Sequence, residues 1–383
     1  FWGSGSGTYA RHLASVVGRT HKVAILAPDD RPIDKAKLYT VHLPFPVAFT
    51  GHPEWPDCKF YTQLTNVEVA QIYKTFLDAT IAAVEDFHPD IIHVHHAFPL
   101  TWAAAFVKDM YGINFITTIH GSELPTIEKD RRYGRATYYS MFRTSRIIPN
   151  SGYTRDWFLR VFHGYFHEKC RVIPGGVDIG KFVYSESGAK QVDRELGLHG
   201  KPVVLFAGKI TKYKGVEFLI NAAKRIHGEV VILGDGPELS KLKLKAQSLG
   251  LTNVHWVGHL GAGVKKLVPY YSRADVFVAP SVWDEPLGLV ILEAMACNTP
   301  VVVTRKGGIP LAVKEGVNGL FIRARNSEEI VEKVNKLLDN ESLRLKMGVN
   351  ARRIAEEKFS WEIIGRKFEL LYMQYGKKNG TLK

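Results

Sequence analysis

The stretch SVWDEPLGLVILEAMACNTPVVV, residues 281–303, decides how the chain is read. Within it, LVILEAMA reads as a buried helix, yet it carries Glu293, and a buried carboxylate is costly unless a partner compensates it. Packing alone would favour Leu or Ala there. A second carboxylate, Glu285, lies just ahead of this helix, with Pro286 suited to the first turn and Gly288 leaving the leading amides open to close approach. The pattern predicts a helix over 287–297 whose N-terminus is an anion or hydroxyl site flanked by a carboxylate. Asn298, followed by Thr299 and Pro300, gives a left-handed stop before the strand PVVVT.

Working outward, strand and helix patterns alternate on both sides of this stretch. Upstream run PVVLFAG, a helix over 216–226, EVVILGDG, a helix over 238–248, NVHWVG, a short helix and ADVFVAPS. The first half alternates likewise, with helices over 8–17, 68–86 and 100–110 among the strands HKVAILA, IIHVHH, NFITTIH, RIIPNS and CRVIPGG. Strands separated by helices imply parallel sheets covered on both faces. The chain is therefore α/β, with two doubly wound halves. Residues 177–201, VDIGKFVYSESGAKQVDRELGLHGK, break the alternation and read as a linker between domains at 1–178 and 179–360. Its 383 residues exceed what one core usually serves.

In LFAGKITKYKG, Lys209 follows a strand and Lys214 precedes a helix, at the carboxyl edge where open parallel sheets bind ligands. Two ammonium groups there suit a diphosphate. The opening SGSGTYARHLA reads as a glycine loop entering a helix, half of a phosphate site without the strand that should precede it. It is not a dinucleotide fingerprint, because Gly3 and Gly5 are followed by Thr8 where a third glycine belongs.

Composition excludes several classes. Hydrophobic residues make up 45% and charged residues 23%, so the chain is not disordered. No apolar run approaches the roughly 20 residues of a spanning helix, and no signal peptide is visible. Cys58, Cys170 and Cys297 stand far apart, which predicts three buried thiols in a reducing, cytoplasmic setting. The 51 Lys and Arg against 38 Asp and Glu leave +13, suited to nucleic acid, a membrane or a phosphorylated substrate. Nucleic-acid binding leaves Glu293 unexplained. The HVHH run contains His93, His95 and His96, but no carboxylate or cysteine stands at ligand spacing near it, so no metal site is expected.

Together Glu285 and Glu293, the HG at His120, VIPGGVD, GKITKYKG, GDGPE and GGIPLAVKEGVNGLFI resemble the retaining glycosyltransferases of family 4, in family order from residue 3 to about 375. The resemblance implies the GT-B fold, two Rossmann-like domains facing across a cleft, with residues 361–383 crossing back to the first domain. It implies transfer of a hexosyl group from a nucleotide-diphospho-sugar to an acceptor hydroxyl, with retention of configuration and no metal or other cofactor. Glu285 would contact the donor sugar and Glu293 the ribose. Lys209 and Lys214 would hold the diphosphate, the amides near Leu287, Gly288 and Leu289 would line the sugar and phosphate pocket, and Gly5 would approach from the first domain. His120 would stand near the reacting sugar. Lys209 stands where relatives often carry Arg, and Asn298 where they often carry Gly. An epimerase, a glycan phosphorylase or a noncatalytic binding subunit on the same fold are the alternatives.

The acceptor is open: a glycan, a lipid-linked compound or a small molecule. Residues 126–171 carry ten Lys and Arg against four Asp and Glu, interleaved with Tyr138, Tyr139, Phe142, Trp157, Phe158, Phe162, Tyr165 and Phe166. Such a stretch suits an anionic membrane, which would make the protein peripheral on the inner face, or covers a core with its aromatics and leaves an ordinary basic surface.

Overall fold

The structure is a computed structural model that describes residues 4–50, 55, 57–261 and 263–377; Gly3 of the opening loop lies outside them. The chain forms two compact units, residues 1–175 with 361–383, and residues 176–360.

In the first unit α1 (Gly5–Val17) begins at the glycine-rich loop, and Ser4 caps it, its Oγ accepting from the Gly7 amide at 3.0 Å. β1 (Val23–Ala27) pairs in parallel with β2 (Ala36–Thr40), and β3 (Val47–Ala48) with β4 (Lys59–Phe60). After α2 (Asn66–Phe87) come β5 (Ile92–His95), α3 (Leu100–Tyr111), β6 (Phe115–Ile119), α4 (Leu124–Lys129), α5 (Arg132–Arg143), β7 (Arg146–Pro149) and α6 (Gly152–Val161). β5, β6 and β7 form a parallel ladder in that order. The strand expected at CRVIPGG is reduced to a bridge between Cys170 and Ile147. Arg171 and Ile173 still donate to the carbonyls of Ile147 and Pro149, but Pro149 and Pro174 offer no N–H with which to continue the ladder.

A helix over Trp361–Tyr375 belongs to this first unit. Its Trp361, Ile364, Phe368 and Leu371 are buried with Tyr9, Leu13 and Val17 of α1 and with Ile116 and Ile148 of the ladder. Each such side chain contributes about 1.5–3 kcal/mol on burial. The helices meet so closely that a Cβ at Gly365 would stand 2.7 Å from Cγ1 of Val16.

The second unit opens with a correction, because the expected linker contains α7 (Glu186–Leu196). Ser185 caps it and Gly197, at φ 62°, ends it, while Ala189 and Val192 turn inward beneath a charged outer face. That outer charge hid a real amphipathic helix. There follow β8 (Val203–Ala207), α8 (Val216–Ala223), β9 (Glu229–Leu233), α9 (Leu239–Ser248), β10 (Val254–Gly258), α10 (Val264–Arg273), β11 (Val276–Ala279), α11 (Leu289–Ala296), β12 (Val301–Thr304), α12 (Ile309–Ala312), β13 (Gly319–Ile322), α13 (Ser327–Leu338) and α14 (Glu341–Phe359). All six strands are parallel, in the order β10-β9-β8-β11-β12-β13. β8, β9, β11 and β12 are buried throughout, and two apolar clusters cover the two faces of the sheet. The order reverses between β8 and β11, which makes the space beyond their carboxyl ends a topological switch point.

Candidate active site

The loops leaving β8 and β11 are stitched together at this switch point. Gly215, at φ 68°, closes the first loop, and a Cβ there would stand 2.1 Å from the carbonyl oxygen of Pro280. Only glycine allows that approach. The Tyr213 carbonyl accepts from the Val282 amide at 2.9 Å and the Trp283 amide at 3.3 Å. Lys214 is thereby carried across the switch point to Glu285, with Nζ 2.5 Å from Oε1, and Ser281 Oγ donates to the same oxygen at 2.8 Å. Glu285 is 8% exposed. The loop after β12 holds its backbone: the Gly308 amide donates to the Glu285 carbonyl at 2.6 Å, and Gly307 sits at φ 54° where a Cβ would be 2.1 Å from that carbonyl oxygen.

α11 starts later than the sequence suggests. Its N-cap is Gly288, left-handed at φ 78°, so Pro286 lies ahead of the first turn rather than in it. No side chain caps this end. Leu287 is buried beneath it, and Leu289 begins the helix half-buried. Glu293, one turn further, bonds to Tyr271 of α10, whose hydroxyl donates to Oε2 at 2.7 Å. Burial pushes the Glu293 carboxyl above its ordinary range, and the Tyr271 bond offsets this only in part. Lys209 is exposed just past β8. The second unit thus joins Lys214 directly to Glu285 and gives Glu293 a different partner. Asn298 does adopt the left-handed stop, at φ 65°.

The first unit carries Gly5 and His120. Gly5 is the exposed first residue of α1, with open space where a Cβ would point. His120 follows β6 and is 7% exposed. Its amide donates to Oε1 of Glu123 at 3.1 Å, its carbonyl accepts from Asn150 Nδ2 at 3.3 Å, and its Nε2 is 3.0 Å from Nδ1 of His95. The histidines of HVHH surround it. His93 bonds through Nδ1 to the Tyr372 hydroxyl at 2.7 Å and through Nε2 to Thr118 Oγ1 at 2.8 Å, and His96 Nδ1 is 3.2 Å from Glu123 Oε2. Burial lowers His93 and His120 to about 3 and holds His95 well below the ordinary histidine value. Burial alone would raise Glu123, but His96, His120 and the backbone outweigh it and leave the carboxyl below its usual range.

A carboxylate does stand beside the histidines, contrary to the sequence reading, because Glu123 returns from the loop after β6. Among the described residues no group of three or more His, Cys, Asp or Glu is placed to hold a metal ion. The cysteines also differ from expectation: Cys297 is buried, whereas Cys58 and Cys170 are half-buried. Ser281, Tyr271, Gly215, Gly307 and Glu123 were not singled out by sequence, and His95 was weighed only as a metal ligand. Gly215 and Gly307 carried a signal as glycines at strand-to-helix turns, whereas Tyr271 looked like any core aromatic.

The aromatics of 126–171 split in two. Trp157, Phe158, Phe162 and Phe166 are buried, whereas Tyr138, Tyr139 and Phe142 on α5 and nearby Tyr165 are exposed. Arg131, Arg132 and Arg135 are exposed at the start of α5, and Lys169 Nζ lies 5.3 Å from the Phe142 ring centroid. Among the described residues no helix is long and apolar enough to cross a membrane.

Comparison with known proteins agrees with this architecture. The family described as Glycosyltransferase Family 4 matches residues 3–181, and that described as Glycosyl transferases group 1 matches residues 189–354. A glycosyltransferase of Methanocaldococcus jannaschii is 30% identical over 301 residues, 74% of this chain and 75% of the relative. Alpha-maltose-1-phosphate synthase of Mycolicibacterium smegmatis is 30% identical over 321 residues, 78% of this chain and 82% of the relative. The Anabaena protein HepE, solved with UDP-glucose, superimposes with a TM-score of 0.74 at 20% identity, over 97% of each chain. The fold is GT-B, and the chain belongs to the family 4, group 1 glycosyltransferases.

Proposed function

We propose that this glycosyltransferase moves a hexosyl group from a nucleotide-diphospho-sugar to an acceptor hydroxyl, with retention of anomeric configuration and without a divalent ion. The observation that carries this reading is the buried Glu285 carboxylate held by Lys214 and Ser281 at the sheet's switch point. A carboxylate can accept from sugar hydroxyls, while an ammonium beside it can follow charge onto a departing diphosphate. The uncapped start of α11 offers amides and a positive dipole end to the same phosphates. Lys209 adds a second cation, Glu293 binds the ribose, and Gly5 lets the diphosphate approach α1. That HepE was solved with UDP-glucose supports the donor class.

In this reaction the acceptor oxygen bonds to the anomeric carbon on the face that the diphosphate leaves. The bond from that carbon to the phosphate oxygen breaks, and the departing phosphate takes the acceptor proton. His120 orients a sugar hydroxyl. The acceptor is lipid-linked, reached by docking the exposed face of α5 on an anionic membrane, where basic side chains and interfacial aromatics both contribute.

Calorimetric titration with uridine, guanosine and adenosine diphospho-sugars, followed by NMR of the product's anomeric proton with and without chelator, tests the reading. One donor class should bind and yield retained product in both conditions. Inverted product would overturn retention, loss of activity with chelator would overturn metal independence, and donor binding without transfer to any acceptor would favour a binding subunit.

A further inference from the structure

His120 is fixed at more points than a histidine near a substrate needs. Glu123 takes its amide and Asn150 its carbonyl, so the backbone cannot turn. Its ring meets Tyr9 edge-on at 5.1 Å, and Tyr9 is itself held by its hydroxyl, which reaches the carbonyls of Ile173 and Pro174 at 3.4 Å. On another side His95 stacks against it at 5.3 Å while presenting Nδ1 to its Nε2 at 3.0 Å. His95 is in turn stacked on His93 at 4.6 Å, and His93 has both ring nitrogens bonded. The row runs from Tyr372 through His93 and His95 to His120. Among the described residues, Nδ1 of His120 has no partner.

Two neutral imidazoles whose nitrogens lie 3.0 Å apart share one proton between them: one donates and the other accepts. The ring nitrogen that His95 engages is therefore unavailable to a ligand, and its state dictates the state of the other. If His95 donates, His120 carries its proton on Nδ1; if His95 accepts, Nδ1 carries a lone pair.

We propose that His95 is a positioning residue, which occupies Nε2 of His120 and so makes Nδ1, in a single tautomer, the atom that His120 presents to the sugar. The part about the sugar rests on the glycosyl-transfer reading; the part about the tautomer does not. His95 does not itself need to touch substrate. Its substitution should act on turnover more than on donor affinity, because the donor's phosphates and ribose are held by the other unit's residues.

The first test uses the unsubstituted, 15N-labelled full chain. A scalar coupling between Nδ1 of His95 and Nε2 of His120 across the hydrogen bond, with one neutral His120 tautomer from pH 5.5 to 8, is the expected result; absence of the coupling or an equal mixture of tautomers overturns the proposal. The second test compares His95→Leu with His95→Asn, whose amide can stand near the place of Nδ1. Leu should mix the His120 tautomers and lower kcat at least tenfold with donor KM changed less than threefold, and Asn should recover most of the loss. Unchanged tautomer and kcat in a folded Leu variant overturns the proposal. Should His120→Ala keep full turnover, the role of His120 in transfer fails, while the coupling measurement still decides what His95 does.

Discussion

Nζ of Lys214 lies 2.5 Å from Oε1 of Glu285, across the one point of the second unit's sheet where the strand order reverses. The two residues are 71 positions apart in the chain and come from loops after different strands. A cation already paired with a carboxylate can shift toward an incoming diphosphate and leave the carboxylate to a sugar.

Lys214→Ala and Glu285→Gln should therefore each lower turnover about 100-fold or more, if the lost group acts mainly in the transition state. Both variants should fold, since Ser281 still engages residue 285. Initial rates at saturating donor, with thermal melts alongside, check this. Near-normal rates would remove the pair from the mechanism.

Gly307→Ala should be damaging although it adds only a methyl group. The new Cβ would meet the Glu285 carbonyl at 2.1 Å, and residue 307 sits at φ 54°. Strain of this kind costs on the order of 1–3 kcal/mol. The melting temperature should fall by several degrees, and turnover should drop further than the melt explains, because the carbonyl that must move belongs to Glu285. An unaltered melt would show that the loop after β12 yields freely.

Glu293 gives a pH dependence with a definite sign. Its folded pKa is raised by burial, so the native state holds more protons than the unfolded chain between the ordinary glutamate value and the raised one. Its contribution to stability falls as pH rises through that window. Glu293→Gln should then melt at the same or a higher temperature than the parent at pH 7.5, while donor KM rises because the proposed ribose contact exchanges a charged carboxylate with two accepting oxygens for an amide with one. A lower melt with unchanged KM would make Glu293 a purely structural residue.

The first unit should fail in acid before most carboxylates titrate. His93 and His120 are held neutral down to about 3 by burial, whereas unfolded histidine titrates near 6.5, so the unfolded chain binds more protons between those values and stability is lost as pH falls. At pH 5 each amounts to about 1–2 kcal/mol. Melts from pH 7.5 to 5 should decline, and His93→Phe should flatten the decline. Asp29, lowered to about 2 by Arg31 against the effect of its burial, keeps its contribution through this range and loses it only as pH falls below the ordinary aspartate value.

For the face of α5, vesicle sedimentation is decisive. Binding should be strong on anionic vesicles at low salt, weak on neutral ones, and reduced at least tenfold by Arg131→Glu with Arg135→Glu, given about 1 kcal/mol for each cation near the surface. Equal, negligible binding to both vesicle types would point to a soluble acceptor.

Amphipathic period, turn residues and β-branched runs determined the alternation of strands and helices, because these depend on neighbours within a few positions. That is why α11 and β12 were legible to within a few residues, and why Glu293 stood out in an apolar helix. The same local rules misread α7, whose buried face is Gly188, Ala189 and Val192 among charges, and CRVIPGG, where proline removes ladder donors that a hydropathy pattern cannot count. Which polar groups meet is a different matter. Lys214 with Glu285, Glu293 with Tyr271, His95 with His120 and His96 with Glu123 are pairs separated by 71, 22, 25 and 27 residues. The sequence alone determined that two α/β halves carry carboxylates, lysines and histidines at strand ends. Only the tertiary structure decided their partners, because parallel strands place distant loops at one sheet edge, and a hydrogen bond is made by atoms about 3 Å apart in space whatever their distance along the chain.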